Sequence, residues 1–180
     1  MMKYERYSMI TPYLRFIQRN MNKPFSRISM LDYGCGVSDI GLLFSSLGAH
    51  VTLCDLDNKR FDFVLKRFTR RGYNPDTVRV VDAEKIPLFP KNNFDIIIAT
   101  EVFEHVRDPL ALLTSLTLAL KRNGFLFDSM GGKFERDDRP HHLKEAFKIG
   151  QSREYKEYYH SHYRQLLPEK QLKYLFKKII

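Results

Sequence analysis

Residues 31–38 read Leu31-Asp32-Tyr33-Gly34-Cys35-Gly36-Val37-Ser38, an apolar run that breaks into two closely spaced glycines. The run begins at Ile28, and its length predicts a short buried strand ending at Tyr33. Gly34 and Gly36 let the chain turn sharply and let a ligand approach without meeting a Cβ. From Asp39 to Leu47, the residues Ile40, Leu43, Phe44 and Leu47 share one helical face, and Gly48 is placed to stop the helix. Strand, glycine turn and helix in that order form the opening of a ligand-binding βα unit.

The alternation continues outward from this unit. His50–Cys54 reads as a second strand, and Asn58–Arg71 as a basic amphipathic helix ended by Gly72. Val78–Val81 reads as a third strand, and Phe94–Thr100, with Ile96, Ile97 and Ile98 in succession, as a fourth strand buried on both faces. Asp108–Arg122 predicts a helix with Pro109 in its first turn and Gly124 past its end, followed by a fifth strand at Phe125–Ser129. Strands separated by helices over residues 28–129 predict an α/β fold. Its doubly wound, mostly parallel sheet carries helices on both faces. Upstream, Tyr7, Ile10, Leu14 and Ile17 mark one face of a helix over residues 4–21, which Pro12 either disturbs or begins. Downstream, residues 130–160 break the pattern, and Leu166–Ile180 reads as a last helix with Pro168 near its start. Residues 1–180 are therefore expected to be one domain. Residues 1–27 form an N-terminal helical cap, 28–129 a ligand-binding core, and 130–180 a substrate-side cap with the final helix.

Composition narrows the class. With 43% hydrophobic and 28% charged residues the chain has globular rather than disordered character. Cys35 and Cys54 form neither a disulfide framework nor a ligand cluster, which makes a reducing, cytoplasmic setting the expectation. Arg6, Arg15 and Arg19 interrupt any N-terminal apolar core of a signal peptide. No apolar run reaches the roughly 20 residues needed to span a bilayer. The net charge of +9 is uneven: residues 1–30 and 133–180 each carry +5, and residues 31–132 carry −1. Basic flanks fit an acidic partner or substrate, or simply a soluble basic surface.

The glycine turn also limits the ligand. In the dinucleotide pattern G-x-G-x-x-G, a third glycine should follow at position 39, where this chain has Asp39. A carboxylate there repels a pyrophosphate, and no Gly-Lys-Ser/Thr follows to make a P-loop. A cationic ligand without phosphate fits better. Asp32 can accept from an ammonium group, Asp55 at the end of the second strand from both ribose hydroxyls, and Asp82 beyond the third strand from an exocyclic amine. Each acid alone is as readily a local cap. Three at consecutive strand ends beside a glycine turn favour a ligand site.

On these residues the sequence resembles the class I S-adenosylmethionine-dependent methyltransferases, particularly their small-molecule, quinone-biosynthesis branch, across about residues 28–130. Leu31 to Gly36 looks like the first motif of that family. Val51-Thr52-Leu53-Cys54-Asp55-Leu56-Asp57 looks like the second, Asp82-Ala83-Glu84-Lys85-Ile86-Pro87-Leu88 like the adenine-side motif, and Phe94 to Val106 like the fourth strand and its following turn. The resemblance implies a Rossmann-like fold and S-adenosyl-L-methionine as cofactor. It assigns cofactor binding to Asp32, Gly34, Cys35, Gly36, Asp55, Leu56, Asp82, Ala83 and Thr100. It implies transfer of a methyl group to a small molecule, and the basic flanks would suit an anionic one. The alternatives are a nucleic-acid methyltransferase and a non-catalytic protein retaining the fold. Two departures stand out. Ser38 occupies a position where the family often has glycine. The terminal strand hairpin is expected to be missing, which would leave five strands and an open edge for a second copy or a partner to cover.

A sulfonium methyl is already activated, so alignment is the main requirement and no metal is expected. A base is needed only if the acceptor must lose a proton, and the candidates are His105, His141 and His142. Asp137 and Asp138, with His141 and His142, could hold a metal, but adjacent histidines do not readily face one ion. Tyr155, Tyr158, Tyr159 and Tyr163, interleaved with Arg153, Lys156 and Arg164, either pack an amphipathic helix on the core or stack nucleic-acid bases.

Overall fold

A computed structural model describes residue 14 and residues 16–129, 140–166 and 174–180 of the chain. Residues 16–21 form a helix, α1, that buries Ile17. The rest of the expected N-terminal helix, with Tyr7, Ile10 and Pro12, lies outside the described residues. The succeeding elements are β1 (Ser29–Tyr33), α2 (Asp39–Ser46), β2 (His50–Leu56), α3 (Lys59–Thr69), β3 (Asp76–Val80), β4 (Phe94–Ala99), α4 (Pro109–Ala119), β5 (Leu120–Asp128), α5 (Lys144–Gly150), α6 (Arg153–His162), β6 (Tyr163–Gln165) and β7 (Leu175–Lys178).

The strands form one sheet in the order β3-β2-β1-β4-β5-β7-β6. The first five are parallel, and β7 and β6 run antiparallel to their neighbours. Strand order reverses between β1 and β4, so the crevice for a ligand opens beyond the C-terminal end of β1. Side-chain alternation divides the core. Met30, Leu53, Ile96 and Ile98 face Phe44, Phe61, Val64 and Phe68 on one side. Leu31, Cys54, Ile97 and Leu126 face Leu112, Leu113, Leu116 and Tyr155 on the other.

Local chemistry sets the helix ends. The Asn58 side chain accepts from the amides of Arg60 and Phe61 at the start of α3, and Asp108 accepts from the Ala111 amide at the start of α4. Gly48 and Gly72 take positive φ just beyond α2 and α3. The helix expected over 108–122 stops at Ala119 because β5 begins at Leu120, pairing with Phe94 before a bulge brings Phe125 beside Ile96.

The C-terminal expectation is corrected. The hairpin is present: β7 pairs with β5, setting Leu126 against Phe176, and β6 pairs with β7. Within the described part of 166–180, residues 175–178 are strand rather than helix. β5 is consequently an interior strand, which removes the open edge that motivated a covering protomer. Tyr155, Tyr159 and Tyr163 are buried and pack the core, while Tyr158 is half-buried and stacks on His162. No described helix is long and apolar enough to cross a membrane.

Lys178 fastens the hairpin. Its buried ammonium donates 2.7 Å hydrogen bonds to the carbonyls of Thr117 and Leu120, placing a positive charge at the C-terminus of α4. Replacing Lys178 with methionine removes both hydrogen bonds, and about 1–3 kcal/mol should be lost. Thermal unfolding should then show a Tm lowered by roughly 2–4 °C per kcal/mol. An unchanged Tm would remove this contact from the stability of the hairpin.

Candidate active site

Asp32 lies near the C-terminal end of β1, between β2 and β4, and is 5% exposed. Its Oδ2 accepts from the Ser38 hydroxyl at 2.7 Å, and the amide of Gly41 supplies a further bond. To return Ser38 to Asp32 within six residues the chain uses left-handed backbone at Gly34 (φ 63°), Gly36 (φ 55°) and Ser38 (φ 51°). Serine is strained there, which accounts for the family's preference for glycine, and its bond to a buried carboxylate offsets the strain. A Cβ on Gly34 would sit 2.6 Å from Cγ2 of Val102, whereas one on Gly36 would meet nothing within 4 Å. Gly36 therefore borders open space on the ligand side. Gly41 carries no motif signal, yet a Cβ there would overlap the Ser38 hydroxyl and lie 3.1 Å from Asp32 Oδ2.

The amides of the turn are already engaged. Gly34 and Cys35 donate to the carbonyl of Cys54, and Ser38 donates to that of Cys35. Gly36 donates to Asp55 Oδ2 at 2.7 Å, and Asp55 Oδ1 accepts from Leu56. Such a turn has few donors left for a phosphate, in keeping with Asp39, which pairs with Arg67 at 2.7 Å. Asp55 thus holds the turn as well as standing at the cleft, a role that strand-end position alone does not reveal. Beside it the Leu56 side chain is 45% exposed, an apolar surface at the rim. Asp82 and Ala83 are exposed beyond β3, where Asp82 accepts from the Glu84 amide and lies 3.8 Å from Lys85. Asp82 is at present a local cap. Thr100 is half-buried in the turn after β4. Next to it Glu101 has φ 54°, with its amide bonded to the Ser129 hydroxyl at 2.8 Å. Strained non-glycine backbone at Ser38 and Glu101 flanks the same strand ends, a pattern typical of binding clefts.

Burial is the main cause that raises the Asp32 carboxyl to about 7, opposed by the Ser38 and Gly41 bonds and reinforced by the charges of Asp55 and Asp39. A cation in the crevice would favour the ionised form. Burial pushes the Cys54 thiol up to about 12 and that of Cys35 further, so neither is poised as a nucleophile, and both are free.

His105 ends a 3-10 turn over Phe103–His105, three residues beyond the Val102 that packs on Gly34. His141 and His142 come to the same place: their rings lie 5.3 and 5.2 Å from that of His105. All three sequence candidates are therefore neighbours. Asp137 and Asp138 lie outside the described residues.

Comparison with known proteins accords with this geometry. Residues 31–128 match the family model described as a methyltransferase domain. The ubiquinone biosynthesis O-methyltransferase of Actinobacillus pleuropneumoniae serotype 7 (strain AP76) is 31% identical over 120 residues, 64% of this chain and 50% of that protein. The chain thus spans about half the length of the curated relatives it matches. Among solved structures, the PH0226 protein from Pyrococcus horikoshii OT3 aligns with a TM-score of 0.57 at 23% identity, covering 71% of this chain and 54% of the other. The [4+2]-cyclase SpnF aligns with a TM-score of 0.54 at 20% identity, covering 65% of this chain and 43% of the other. At these identities the structures share the fold alone.

Two outcomes follow from the buried carboxylate. Because the folded pKa of Asp32 stands above the 3.8 of an unperturbed aspartate, its contribution to stability is complete below that value and lost as pH rises through about 7. Asp32→Asn should flatten the decline in Tm between pH 5 and pH 8, and thermal scans across that window check it. An unaltered slope would assign the decline to other groups. Gly41→Ala should separate Ser38 from Asp32 and lower stability by about 1–3 kcal/mol in denaturant unfolding.

Proposed function

The chain belongs to the methyltransferase-domain family, and on that premise we propose that it transfers the methyl group of S-adenosyl-L-methionine to a hydroxyl of a small molecule. The observation that carries this reading is the glycine turn, open above Gly36, occupied in its amides and bordered by carboxylates. That environment fits a nucleoside bearing positive charge and no phosphate. Asp32 takes the ammonium side, directly or through water. Asp55 accepts from the ribose hydroxyls, Leu56 offers an apolar face, and Asp82 with Ala83 accepts at the base. Gly34, Cys35, Gly36 and Thr100 form the floor.

Bound there, the cofactor supplies a methyl group already activated by its sulfonium. The contribution of the chain is then positional. Holding two reacting groups in line can supply roughly 7–11 kcal/mol of a barrier. Val102 fixes the turn after β4 against Gly34, and Glu101 is held by Ser129, so both walls of the cleft are set before a ligand arrives. The oxygen acceptor is favoured by the likeness to an O-methyltransferase, and an anionic one by the basic excess of residues 133–180. The free cysteines suit a reducing compartment.

S-adenosylmethionine should raise the Tm by mass action, and its demethylated product should form when hydroxylated aromatic acids are offered as acceptors. No Tm shift at millimolar cofactor would end the reading, whereas a shift without turnover on any acceptor would leave a binding protein of the same fold. Asp55→Ala removes both the ribose acceptor and the tether of Gly36. Calorimetry should show the cofactor Kd raised by about a hundredfold or more, the loss of two charge-assisted hydrogen bonds.

A further inference from the structure

His105, His141 and His142 come from two separate segments, the 3-10 turn after β4 and the turn at 140–142 before α5. One ligating atom from each lies within 4.8 Å of the other two. Ring centroids are 4.9–5.3 Å apart. A backbone bond of 3.0 Å from the Leu143 amide to the Glu104 carbonyl ties the segments together. Adjacent histidines thus bring ligating atoms within reach of one another and of His105.

The hydrogen-bond inventory gives this cluster its meaning. His105 Nδ1 lies 3.0 Å from the carbonyl of His141. A carbonyl only accepts, so Nδ1 carries a hydrogen in this contact, and in the neutral ring Nε2 presents its lone pair. An imidazole that donates to a backbone carbonyl while its other nitrogen is free is the usual arrangement of a metal-ligating histidine. Both ring nitrogens of His142 are buried without a hydrogen-bond partner among the described residues, and so is Glu104 Oε2. Phe147 stacks on the His142 ring at 5.6 Å and holds it in place. Glu104 is 1% exposed. A buried polar group left unpaired costs about 1–3 kcal/mol. Here two such groups gather beside an oriented imidazole.

We propose that His105, His141 and His142 form a mononuclear site for a divalent transition metal of the zinc class, with the orphaned carboxylate of Glu104 on its buried side. Three neutral imidazoles select such an ion over magnesium, which prefers oxygen ligands. Tetrahedral nitrogen ligands about 2.0–2.1 Å from zinc stand roughly 3.3 Å apart, so side-chain rotation has to close the cluster by about 1.5 Å at most. His105 and His141 are exposed, which leaves a coordination position facing solvent. The use of that position for the oxygen of an acceptor rests on the methyl-transfer reading. The metal site itself does not.

Titration of the chelator-treated chain with cobalt(II), in the absence of any cofactor, separates the two. One equivalent should bind, give the intense visible bands of four-coordinate cobalt, and be displaced by zinc. His141→Ala alters an exposed residue and should weaken binding by about 100-fold, and His142→Gln should do the same. Circular dichroism checks that each variant is folded, and the Tm shift with S-adenosylmethionine is read on the same samples. Cobalt binding that is weak and non-stoichiometric, binding unchanged in folded His141→Ala, or saturation by magnesium alone overturns the proposal. A lost cofactor shift with intact cobalt binding would instead overturn the methyl-transfer reading.

Discussion

The structure depends on a carboxylate that has been taken out of water. Asp32 ends the strand flanked by β2 and β4, and at 5% exposure its oxygens must find partners within the protein. The nearest are the hydroxyl of Ser38 and the amide of Gly41, six and nine residues further on. Reaching them forces the backbone through left-handed conformations at residues 34, 36 and 38. It also excludes a Cβ at residue 41, and Val102 of the neighbouring turn closes over Gly34. One buried acid accounts for much of the local sequence.

The same arrangement decides what the crevice can receive. Amides that might have cradled a phosphate are bonded to Cys54, Cys35 and Asp55. What remains at the rim is acidic and partly apolar, with Asp55 and Leu56 side by side. Burial opposes the charge of Asp32, and the Ser38 and Gly41 bonds only partly compensate, so its pKa is raised to about 7. A positive group in the cleft would complete the environment that the fold leaves one charge short.

The opposite wall is built from residues distant in sequence. The turn after β4 carries a strained Glu101 and a buried Glu104, and it is bonded to Ser129 on one side and Leu143 on the other. Behind it the tyrosines of α6 fill the core, with Tyr159 donating to the fully buried Asp128 at the end of β5. Lys178 then ties β7 to the end of α4. Polar groups buried in pairs of this kind fix a single arrangement, because any slip leaves a group unpaired.

Most of the parallel core was legible along the chain. Strand and helix periods depend on neighbours two to four residues apart, and the conformations that glycine permits are a property of the residue itself. The run from Leu31 to Ser38 therefore announced the turn, and the tyrosines at 155 and 159 could be read as core. Gly41 and the second role of Asp55 could not, because their reasons are contacts with a side chain or a turn on another segment. The hairpin was misread because a four-residue strand covered on both faces, Leu175–Lys178, shows no alternation and resembles a stretch of helix. The sequence by itself determined the order of strands and helices across residues 28–129 and the glycine turn after the first strand, since both arise from local sterics and periodicity. Only the tertiary structure decided that β7 would pair with β5 and that His141 would meet His105 across 36 positions, since such contacts exist only once distant segments have packed.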